Sequence, residues 1–226
     1  MDFENIYKSR QMILKILKLR GCDTAKYDNQ TRDELMILYQ NRDKKIVTIH
    51  DTIDILVDYG DTKVFVKYIL TEKCRSTIIE KYIENYYYEE EFLEKGDQCI
   101  FITKSKLKYE GNLENYMLNM YNKDKIFFQV FWLNTLLYDI TINKLVPKYE
   151  ILSEEGKQEV IEKYNIQDKG LLPNVILNDP LAMIYGVKLN ELVKVTYPSK
   201  TNGLTTFYRL CTVSYTHLRA HETRGN

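Results

Sequence analysis

The segment from residue 171 to residue 211 constrains the fold of this chain most, because it contains the local signals of a complete small unit. Asp179 can cap a helix through its carboxylate, and Pro180 suits the first helical position, where no backbone donor is required. Gly186 can then end the helix in the left-handed conformation. The sequence therefore predicts a short helix between Pro180 and Gly186.

The residues after this helix have the pattern of a β-hairpin. Residues 193–197 alternate between apolar and polar side chains, which is the period of a strand. Thr201-Asn202-Gly203 supplies a turn, and residues 205–211 can form the returning strand. No reactive side chains in this unit are arranged for chemistry, so we predict that it carries no reaction.

The same unit resembles part of a known family. The resemblance rests on an ordered set of residues, namely Leu172-Pro173, Asp179-Pro180, Ala182, Gly186, Val193-Lys194, Ser199, Thr201, Gly203 and Tyr208-Arg209-Leu210-Cys211. A lead-in precedes it at Leu145-Val146-Pro147-Lys148, Leu152-Ser153 and Lys163-Tyr164. Together these residues resemble the carboxyl-terminal assembly domain of the fifth subunit shared by eukaryotic RNA polymerases I, II and III. The resemblance extends to the archaeal counterpart of this domain.

The sequence upstream of this unit alternates between helix and strand patterns. Helical patterns are found at residues 3–20, 31–38, 76–93 and 113–121, and strand patterns at residues 45–50, 55–58, 64–69, 99–103 and 136–142. Thr31 and Glu34 have the spacing of a capping box. Helices before, between and after strands predict an α/β layered domain. The family resemblance implies a fold related to restriction endonucleases for this part.

We therefore expect two domains, of mixed α+β and α/β class. Pro147 prevents a strand or helix from simply continuing, so the boundary is placed near Lys144. Residues 1–143 would form the amino-terminal jaw domain of the family, and residues 144–211 the assembly domain. Within the assembly domain, a helix is predicted from Ser153 to Tyr164, with acidic residues in its first turn.

The tail at residues 212–226 differs in character from the rest of the chain. Residues 213–223 resemble one reading frame of a sequencing adapter, so we expect a tail that is not native and a native terminus near Cys211. His217 and His221 would lie on one helix face like a metal-binding pair, but no third ligand has a suitable spacing. We predict no metal site and no cofactor.

Composition limits the partners of the chain. The 32 basic and 32 acidic residues give a net charge of zero, whereas a dedicated nucleic-acid binder usually has a basic excess. We therefore expect no tight binding of DNA or RNA by the chain alone. The apolar runs, such as residues 126–132, are too short to span a bilayer, and the amino terminus lacks a signal-peptide core. The cysteines form no CxxC pair, which indicates reduced thiols in an intracellular protein: Cys22, Cys74, Cys99 and Cys211.

Patterns of catalytic residues are incomplete in this sequence. Nuclease chemistry needs clustered carboxylates and a nearby lysine, and Asp58, Asp61 and Lys67 are the nearest match. Phe65 stands where that pattern requires an acidic residue, so a half-buried strand beside a charged turn is favoured instead. His50 is the one histidine outside the tail, and a surface or capping role is favoured over that of a general base. Phosphate-binding loops of the GxxxxGK[ST] or GxGxxG type do not occur.

A basic cluster follows the predicted strand at residues 99–103. Lys104, Lys106 and Lys108 would alternate their charges on one side of the chain. Lysines commonly protect exposed strand edges, but each of them could also contact a phosphate. In eukaryotic members of the family, the jaw domain lies beside downstream DNA, and the corresponding loop has a Thr-Pro-Ser-Ala-like sequence that this chain lacks. Both interpretations stay open.

Seven residues of the second domain are candidates for assembly, namely Pro147, Pro173, Asp179, Pro180, Gly186, Tyr208 and Arg209. The helix caps among them would act indirectly, by fixing the helix that presents a docking face. Tyr208 and Arg209 are the interface candidates, because aromatic and Arg side chains are enriched in binding hot spots. Arg209 has an equal alternative as the cross-strand partner of an acidic residue in its own domain.

The resemblance implies a noncatalytic subunit of a multisubunit DNA-directed RNA polymerase. Residues 145–211 would dock onto the largest subunit, other core subunits would be neighbours, and residues 1–143 would form the lower jaw near downstream duplex DNA. That DNA would be contacted weakly and only within the complex, while nucleotidyl transfer belongs to the two largest subunits. The alternatives are a degenerate nuclease-like enzyme and a free-standing regulator that binds polymerase transiently.

The resemblance and the composition also predict a location and a source. A shared polymerase subunit is expected in the nucleus. The divergent jaw, the AT-biased composition and the adapter-like tail favour a large DNA virus of eukaryotes, which would place the protein in a viral factory or virion. An AT-rich protist is the alternative source.

Overall fold

The computed structural model describes the chain at residues 3–41, 52–107, 112–199 and 203–213. Several predicted features lie outside these residues: the strand at 45–50 with His50, Lys108, the turn residues Thr201 and Asn202, and the tail histidines His217 and His221. The chain divides into two compact units, residues 1–139 and residues 140–226, whereas the sequence placed the boundary near Lys144. The predicted mixture of helices and sheets is confirmed.

The first unit is built around a four-stranded mixed sheet. Its strands are β1 (Ile55–Tyr59), β2 (Thr62–Ile69), β3 (Gln98–Thr103) and β4 (Phe127–Trp132). Its α-helices are α1 (Phe3–Leu19), α2 (Ala25–Asp28), α3 (Arg32–Asn41), α4 (Ser76–Glu84) and α5 (Asn112–Asp124). The spatial order is β1-β2-β3-β4, with β1 antiparallel to β2 and the other neighbours parallel. α4 and α5 lie in the connections between the parallel strands, as crossover helices do.

β3 is at the centre of the core of the first unit. All six of its residues are buried, as expected for a parallel strand that is covered on both faces. Phe101 on β3 and Phe128 on β4 pack edge to face, with ring centroids 6.2 Å apart. Ile79 and Ile83, one turn apart on α4, are fully buried. The core of this unit therefore consists of large apolar side chains from both the sheet and its crossover helix.

Two local predictions in the amino-terminal helices are confirmed. α1 buries Ile6, Ile13 and Leu17 completely, which is the stripe of an amphipathic helix. Before α3, the Thr31 N–H donates to Glu34 Oε2 at 2.8 Å, and the Glu34 N–H donates to Thr31 Oγ1 at 3.3 Å. This reciprocal pair is the capping box that the sequence predicted.

The predicted strand at residues 136–142 is wrong. The chain forms two 3₁₀ helices here, at Leu133–Leu137 and Ile140–Ile142. Leu133 and Leu136 are buried, and their spacing of three residues is the period of a 3₁₀ helix rather than that of a strand. The alternating apolar residues that suggested a strand do not lie on one buried face. The alternation in the sequence therefore does not correspond to packing against a core.

The predicted helix at residues 76–93 is correct only in its first half. After α4, a π-helix covers Asn85–Glu89, and the Glu90 N–H donates to the oxygen of its first residue at 2.8 Å. Tyr86 and Tyr87 are both buried although they are consecutive in the chain. In an α-helix, neighbouring side chains point about 100° apart around the helix axis. The wider π turn reduces this angle, so that two consecutive tyrosines can both point into the core.

The second unit contains a four-stranded sheet and two α-helices. Its strands are β5 (Lys148–Ile151), β6 (Asn174–Ile176), β7 (Leu192–Ser199) and β8 (Gly203–Thr212), and its helices are α6 (Glu154–Lys163) and α7 (Pro180–Tyr185). The spatial order is β5-β7-β8-β6. β7 is antiparallel to both β5 and β8, and β6 is parallel to β8. The predicted hairpin is confirmed as β7–β8, whereas β5 and β6 were not predicted.

α7 begins and ends as the sequence predicted. Asp179 Oδ1 accepts hydrogen bonds from the backbone N–H groups of Leu181 and Ala182, each at 3.0 Å. Pro180 occupies the first helical position, and Gly186 ends the helix with a φ of 71°, in the left-handed region. The cap stabilises a helix of six residues that is too short to form alone.

α7 contributes to the apolar core of the second unit. The buried cluster draws on α7, β6, β7, β8 and the residue after the helix cap: Val175, Ala182, Val187, Val193, Val195 and Cys211. Because the helix and three strands supply this cluster together, the capped helix is fixed relative to the sheet within this unit.

Candidate assembly and nucleic-acid surfaces

The residues of the nuclease-like pattern do not come together. Asp58 lies opposite Lys63 in the β1–β2 hairpin, and Asp61 is at its turn. Lys67 lies four residues farther along β2, a distance of about 13 Å along a strand. Phe65, which stands where an acidic metal ligand would be needed, is only 2% exposed. The sequence-based preference for a strand beside a charged turn therefore agrees with the geometry.

Lys67 forms a partly buried ion pair with Asp54, a residue that sequence reasoning missed. Lys67 Nζ lies 2.6 Å from Asp54 Oδ2. The same carboxylate accepts hydrogen bonds from the Tyr68 N–H at 3.0 Å and from the Thr52 hydroxyl at 3.1 Å. The hairpin register could have revealed the pair, because continuing it by one position beyond the last pair sets residue 54 opposite residue 67. The ammonium of Lys67 is thus paired with a carboxylate of the same unit, and this pair stabilises the sheet.

The four cysteines are free and buried. Burial raises the pKa of the Cys211 thiol to about 12 and raises the pKa of the Cys99 thiol well above its ordinary value. Such thiols are neutral near pH 7 and pack as small apolar side chains. Among the residues that the structure describes, no group of three or more His, Cys, Asp or Glu side chains is placed to hold a metal ion. The described helices include none that is long and apolar enough to cross a bilayer.

Lys104 directly follows β3 and is only partly available for a ligand. Its N–H donates to the Ile69 oxygen at 3.2 Å, and its ammonium forms an ion pair with Glu72. Lys104 and Glu72 line a cleft of 460 Å³ together with Asp54 and Lys67. Each of the two lysines in this cleft therefore already has a carboxylate partner.

Of the two lysines of the basic cluster that the structure describes, Lys106 is more available than Lys104. Its side chain is exposed, and its Nζ lies 6.0 Å from the centroid of the Trp132 ring. The indole N–H of Trp132 donates to the Lys104 oxygen at 3.0 Å, which fixes the ring beneath the lysine. Within the described ranges Lys106 forms no ion pair. Its ammonium is positioned by the cation–π contact with Trp132 and is available to a phosphate.

A second basic segment lies beside Lys106. The Cys74 N–H donates to Ser105 Oγ at 3.1 Å, which joins the loop after β2 to the loop after β3. Lys73 and Arg75 flank this hydrogen bond in the chain, and both are exposed. Sequence reasoning missed these two cations, although their spacing around Cys74 was a visible signal. The carboxyl ends of the parallel strands β2 and β3 thus carry a basic surface.

The two prolines proposed for assembly stand at the starts of edge strands. Pro147 directly precedes β5, and Pro173 directly precedes β6. The Pro173 oxygen accepts a hydrogen bond from the Leu210 N–H at 2.9 Å. Proline has no N–H to donate to a neighbouring strand. At the position just before a strand, this missing donor costs the sheet no hydrogen bond. Their roles in assembly stay predictions.

Tyr208 lies on the hairpin strand β8, directly opposite Lys194 of β7. Its ring is half-buried and packs against Tyr164 at the end of α6, with centroids 5.7 Å apart. Lys194 forms an ion pair of 2.8 Å with Glu150 on β5. This side of the sheet therefore presents aromatic rings beside a neutralised charge pair, a composition found in protein interfaces.

Arg209 lies on the opposite side of β8, directly across from Val193. Its Nη1 donates to the backbone oxygen of Asn174 on β6 at 3.1 Å. In the part of the chain that the structure describes, Arg209 forms no ion pair with an acidic residue of its own unit. Its guanidinium therefore bridges two strands and keeps donors for a further acceptor.

A family model matches the second unit. The family is described as the RNA polymerase Rpb5 C-terminal domain, and the match covers residues 138–211. This range contains β5 to β8 except for the last residue of β8, and it contains both helices of the second unit.

Curated relatives extend the similarity over almost the whole chain. A Dictyostelium discoideum protein named DNA-directed RNA polymerases I, II, and III subunit rpabc1 is 26% identical over 214 residues, which cover 93% of this chain and 98% of the relative. An Arabidopsis thaliana protein named DNA-directed RNA polymerase subunit 5-like protein 1 is 24% identical over 89% of this chain and 92% of its own length. A Caenorhabditis briggsae protein named DNA-directed RNA polymerases I, II, and III subunit RPABC1 is 35% identical over 75 residues, 33% of this chain and 35% of the relative.

Proposed function

We propose that this chain, which belongs to the family of the fifth subunit shared by RNA polymerases I, II and III, is a noncatalytic subunit of a multisubunit DNA-directed RNA polymerase. The observation that carries the proposal is the family match over the second unit, joined to similarity with named polymerase subunits along both units.

The second unit is proposed to dock onto the largest polymerase subunit. In this proposal Asp179, Pro180 and Gly186 act indirectly, because they define the ends of α7 and α7 fills the core beneath the sheet. Tyr208 and Arg209 make contact with the partner from the two sides of β8. An aromatic ring and a guanidinium with spare donors are the side chains most enriched in binding hot spots.

The first unit is proposed to form a jaw beside downstream duplex DNA. The support comes from the basic surface at the carboxyl ends of β2 and β3, where Lys106, Lys73 and Arg75 are exposed. Lys104 contributes less, because its ammonium is paired with Glu72. Since the net charge of the chain is zero, this contact is weak and depends on the rest of the polymerase to hold the DNA in place.

Co-purification with the cognate largest subunit tests the docking proposal. A tagged full-length chain is expected to keep the largest subunit bound in equal amount through a high-salt wash, because an interface with an apolar core is only weakly screened by salt. A free-standing regulator that binds transiently would leave in the wash. Absence of the largest subunit even at low salt would contradict the proposed function.

Replacing Lys106 with alanine tests the DNA contact. In the assembled polymerase, the slope of log K for downstream duplex against log salt is expected to become shallower by about 0.9, which corresponds to one phosphate contact. Lys123→Ala is the matched control, because Lys123 is an exposed lysine of the same unit at the end of α5. Equal slopes for wild type, Lys106→Ala and Lys123→Ala would remove Lys106 from the DNA surface.

The proposed function places the protein where its polymerase works. For a cellular enzyme that place is the nucleus, and for an enzyme of a large DNA virus it is the viral factory or the virion. Immunofluorescence of the native protein together with the largest subunit distinguishes the two locations.

A further inference from the structure

The hairpin strand β8 is much longer than the strand that covers its outer side. β8 has ten residues and pairs with β7 from Gly203 to Leu210, whereas β6 has three residues and pairs only with Leu210, Cys211 and Thr212. Pro173 ends this short ladder by accepting from the Leu210 N–H. The outer side of β8 from Gly203 to Arg209 therefore has no backbone partner among the described residues.

The backbone hydrogen bonds at the carboxyl-terminal end of β8 show which side each N–H and C=O group of the strand faces. The Leu210 N–H donates outward to Pro173, and the Thr212 oxygen accepts from Leu177 on the same outer side. The Cys211 N–H donates to Glu191, on the inner side. Since N–H and C=O direction alternates along an antiparallel strand, even-numbered residues face outward. Leu204, Thr206 and Tyr208 therefore present three N–H donors and three C=O acceptors on the open edge.

This edge lacks the features that usually prevent strand pairing. Between Gly203 and Arg209 the chain contains no Lys, no Pro and no acidic residue. Its residues are β-prone, and Leu204, Thr206 and Phe207 are exposed, with Leu204 69% and Phe207 50% accessible. β5, the edge strand at the other side of the sheet, instead carries Lys148 and Glu150 and follows a proline. A long, uncharged, exposed edge is a template for an added strand.

Two described cations, Arg209 and Lys163, lie near the open edge. Arg209 borders it on one side of the sheet. On the other side, Lys163 lies 5.5 Å from the centroid of the Tyr164 ring, which packs against Tyr208. Phe207 and Tyr197 form an edge-to-face pair, with centroids 5.7 Å apart, that leaves half of Phe207 exposed. The complementary occupant is an extended segment with neutral or acidic residues and at least one apolar side chain beside Phe207.

We propose that the open edge of β8 at Leu204, Thr206 and Tyr208 receives an extended segment of the largest polymerase subunit as an added strand, in line with β6. This inference rests on the proposed function and deepens it, because it names the surface and the mode of docking. Main-chain hydrogen bonds to the three outward residues provide affinity, and Phe207 and Arg209 select the side chains of the added strand.

A proline at position 206 tests the added strand. Because the Thr206 N–H faces outward, Thr206→Pro removes an outward donor and leaves the β7–β8 ladder intact. The full-length variant is expected to bind the largest subunit at least about tenfold more weakly, since it loses one hydrogen bond and obstructs the approach of the strand. Thr206→Val is the matched control and is expected to bind within about twofold of wild type, because it keeps the backbone donor and the β propensity. Circular dichroism checks that both variants are folded.

Amide hydrogen exchange gives a second measurement that needs no variant. In the wild-type complex, exchange at Leu204, Thr206 and Tyr208 is expected to slow relative to the free chain, because these amides become hydrogen-bonded. Wild-type affinity of a folded Thr206→Pro variant, or unchanged exchange at all three amides, would overturn the added strand. A dimer of the chain alone that Thr206→Pro abolishes would reassign the edge to a second copy. If wild type itself fails to bind the largest subunit, the proposed function fails, and with it the premise of this inference.

Discussion

Replacing Asp54 with alanine is expected to lower the free energy of unfolding of the first unit by about 3–5 kcal/mol. The Asp54 side chain is 4% exposed and accepts bonds from Lys67, from the Tyr68 N–H and from Thr52. Its removal leaves the ammonium of Lys67, whose side chain is 23% exposed, without its counter-charge. It also leaves the Tyr68 N–H without an acceptor inside the sheet. A partly buried charge that loses its partner costs much more than an exposed one.

Urea unfolding followed by fluorescence measures this effect in the first unit. Trp132 is the only tryptophan of the chain and belongs to β4, so its emission reports on this unit. Asp58→Ala is the matched control, since Asp58 is an exposed aspartate of β1, and a change of less than about 0.5 kcal/mol is expected. Equal midpoints for the two variants would show that the Asp54–Lys67 pair contributes no more than a surface charge.

Replacing Phe101 with alanine is expected to destabilise the first unit by about 3–5 kcal/mol. Phe101 is fully buried on the central strand β3 and packs against Phe128 at 6.2 Å and against Tyr82 at 6.2 Å between ring centroids. Its truncation would leave a cavity between sheet and crossover helix that parallel strands covered on both faces cannot close by a small shift. The same fluorescence experiment measures the loss.

Phe207→Ala is the control for the Phe101 variant. It removes the same atoms from a side chain that is 50% exposed, so a change in thermal stability equivalent to less than about 1 kcal/mol is expected. Circular dichroism is the suitable measurement, because Phe207 is in the second unit. If both variants lost similar stability, burial on β3 would not be the cause of the Phe101 effect.

Local signals in the sequence predicted the ends of helices well. The Asp179, Pro180 and Gly186 pattern and the Thr31–Glu34 capping box appear in the structure at the predicted residues. These features were accessible because each depends on backbone groups within about four residues of the side chain that binds them. The hairpin β7–β8 was predicted for the same reason, since its alternation and its turn are local.

Three strands that depend on distant partners, β4, β5 and β6, were not predicted as strands. β5 and β6 have four and three residues, too few for alternation to be recognised, and they exist because β7 and β8 supply partners. β4 was noticed only as an apolar run, because a buried parallel strand lacks alternation. The incorrect strand at residues 136–142 shows the reverse case, in which alternation occurs without any strand partner.

The candidate surfaces were predicted in part. The lysine pattern located the basic region, but Lys104 pairs with Glu72 across 32 residues of sequence, and Trp132 donates to the Lys104 oxygen across 28. Tyr208 and Arg209 were selected by residue type, whereas the open edge of β8 is a property of the backbone. It follows from the unequal lengths of β6 and β8, which no residue type encodes.

The π-helix at Asn85–Glu89 has a consequence for how this chain compares with others. A π turn contains one residue more than an α turn that joins the same two points, so a relative with an uninterrupted α-helix would span this segment with one residue fewer. Alignments across this family should accordingly place a single-residue gap within residues 85–89 wherever a member has an uninterrupted α-helix. Without that gap, the buried tyrosines would be matched to solvent-facing positions, and every downstream equivalence up to β3 would be out of phase by one.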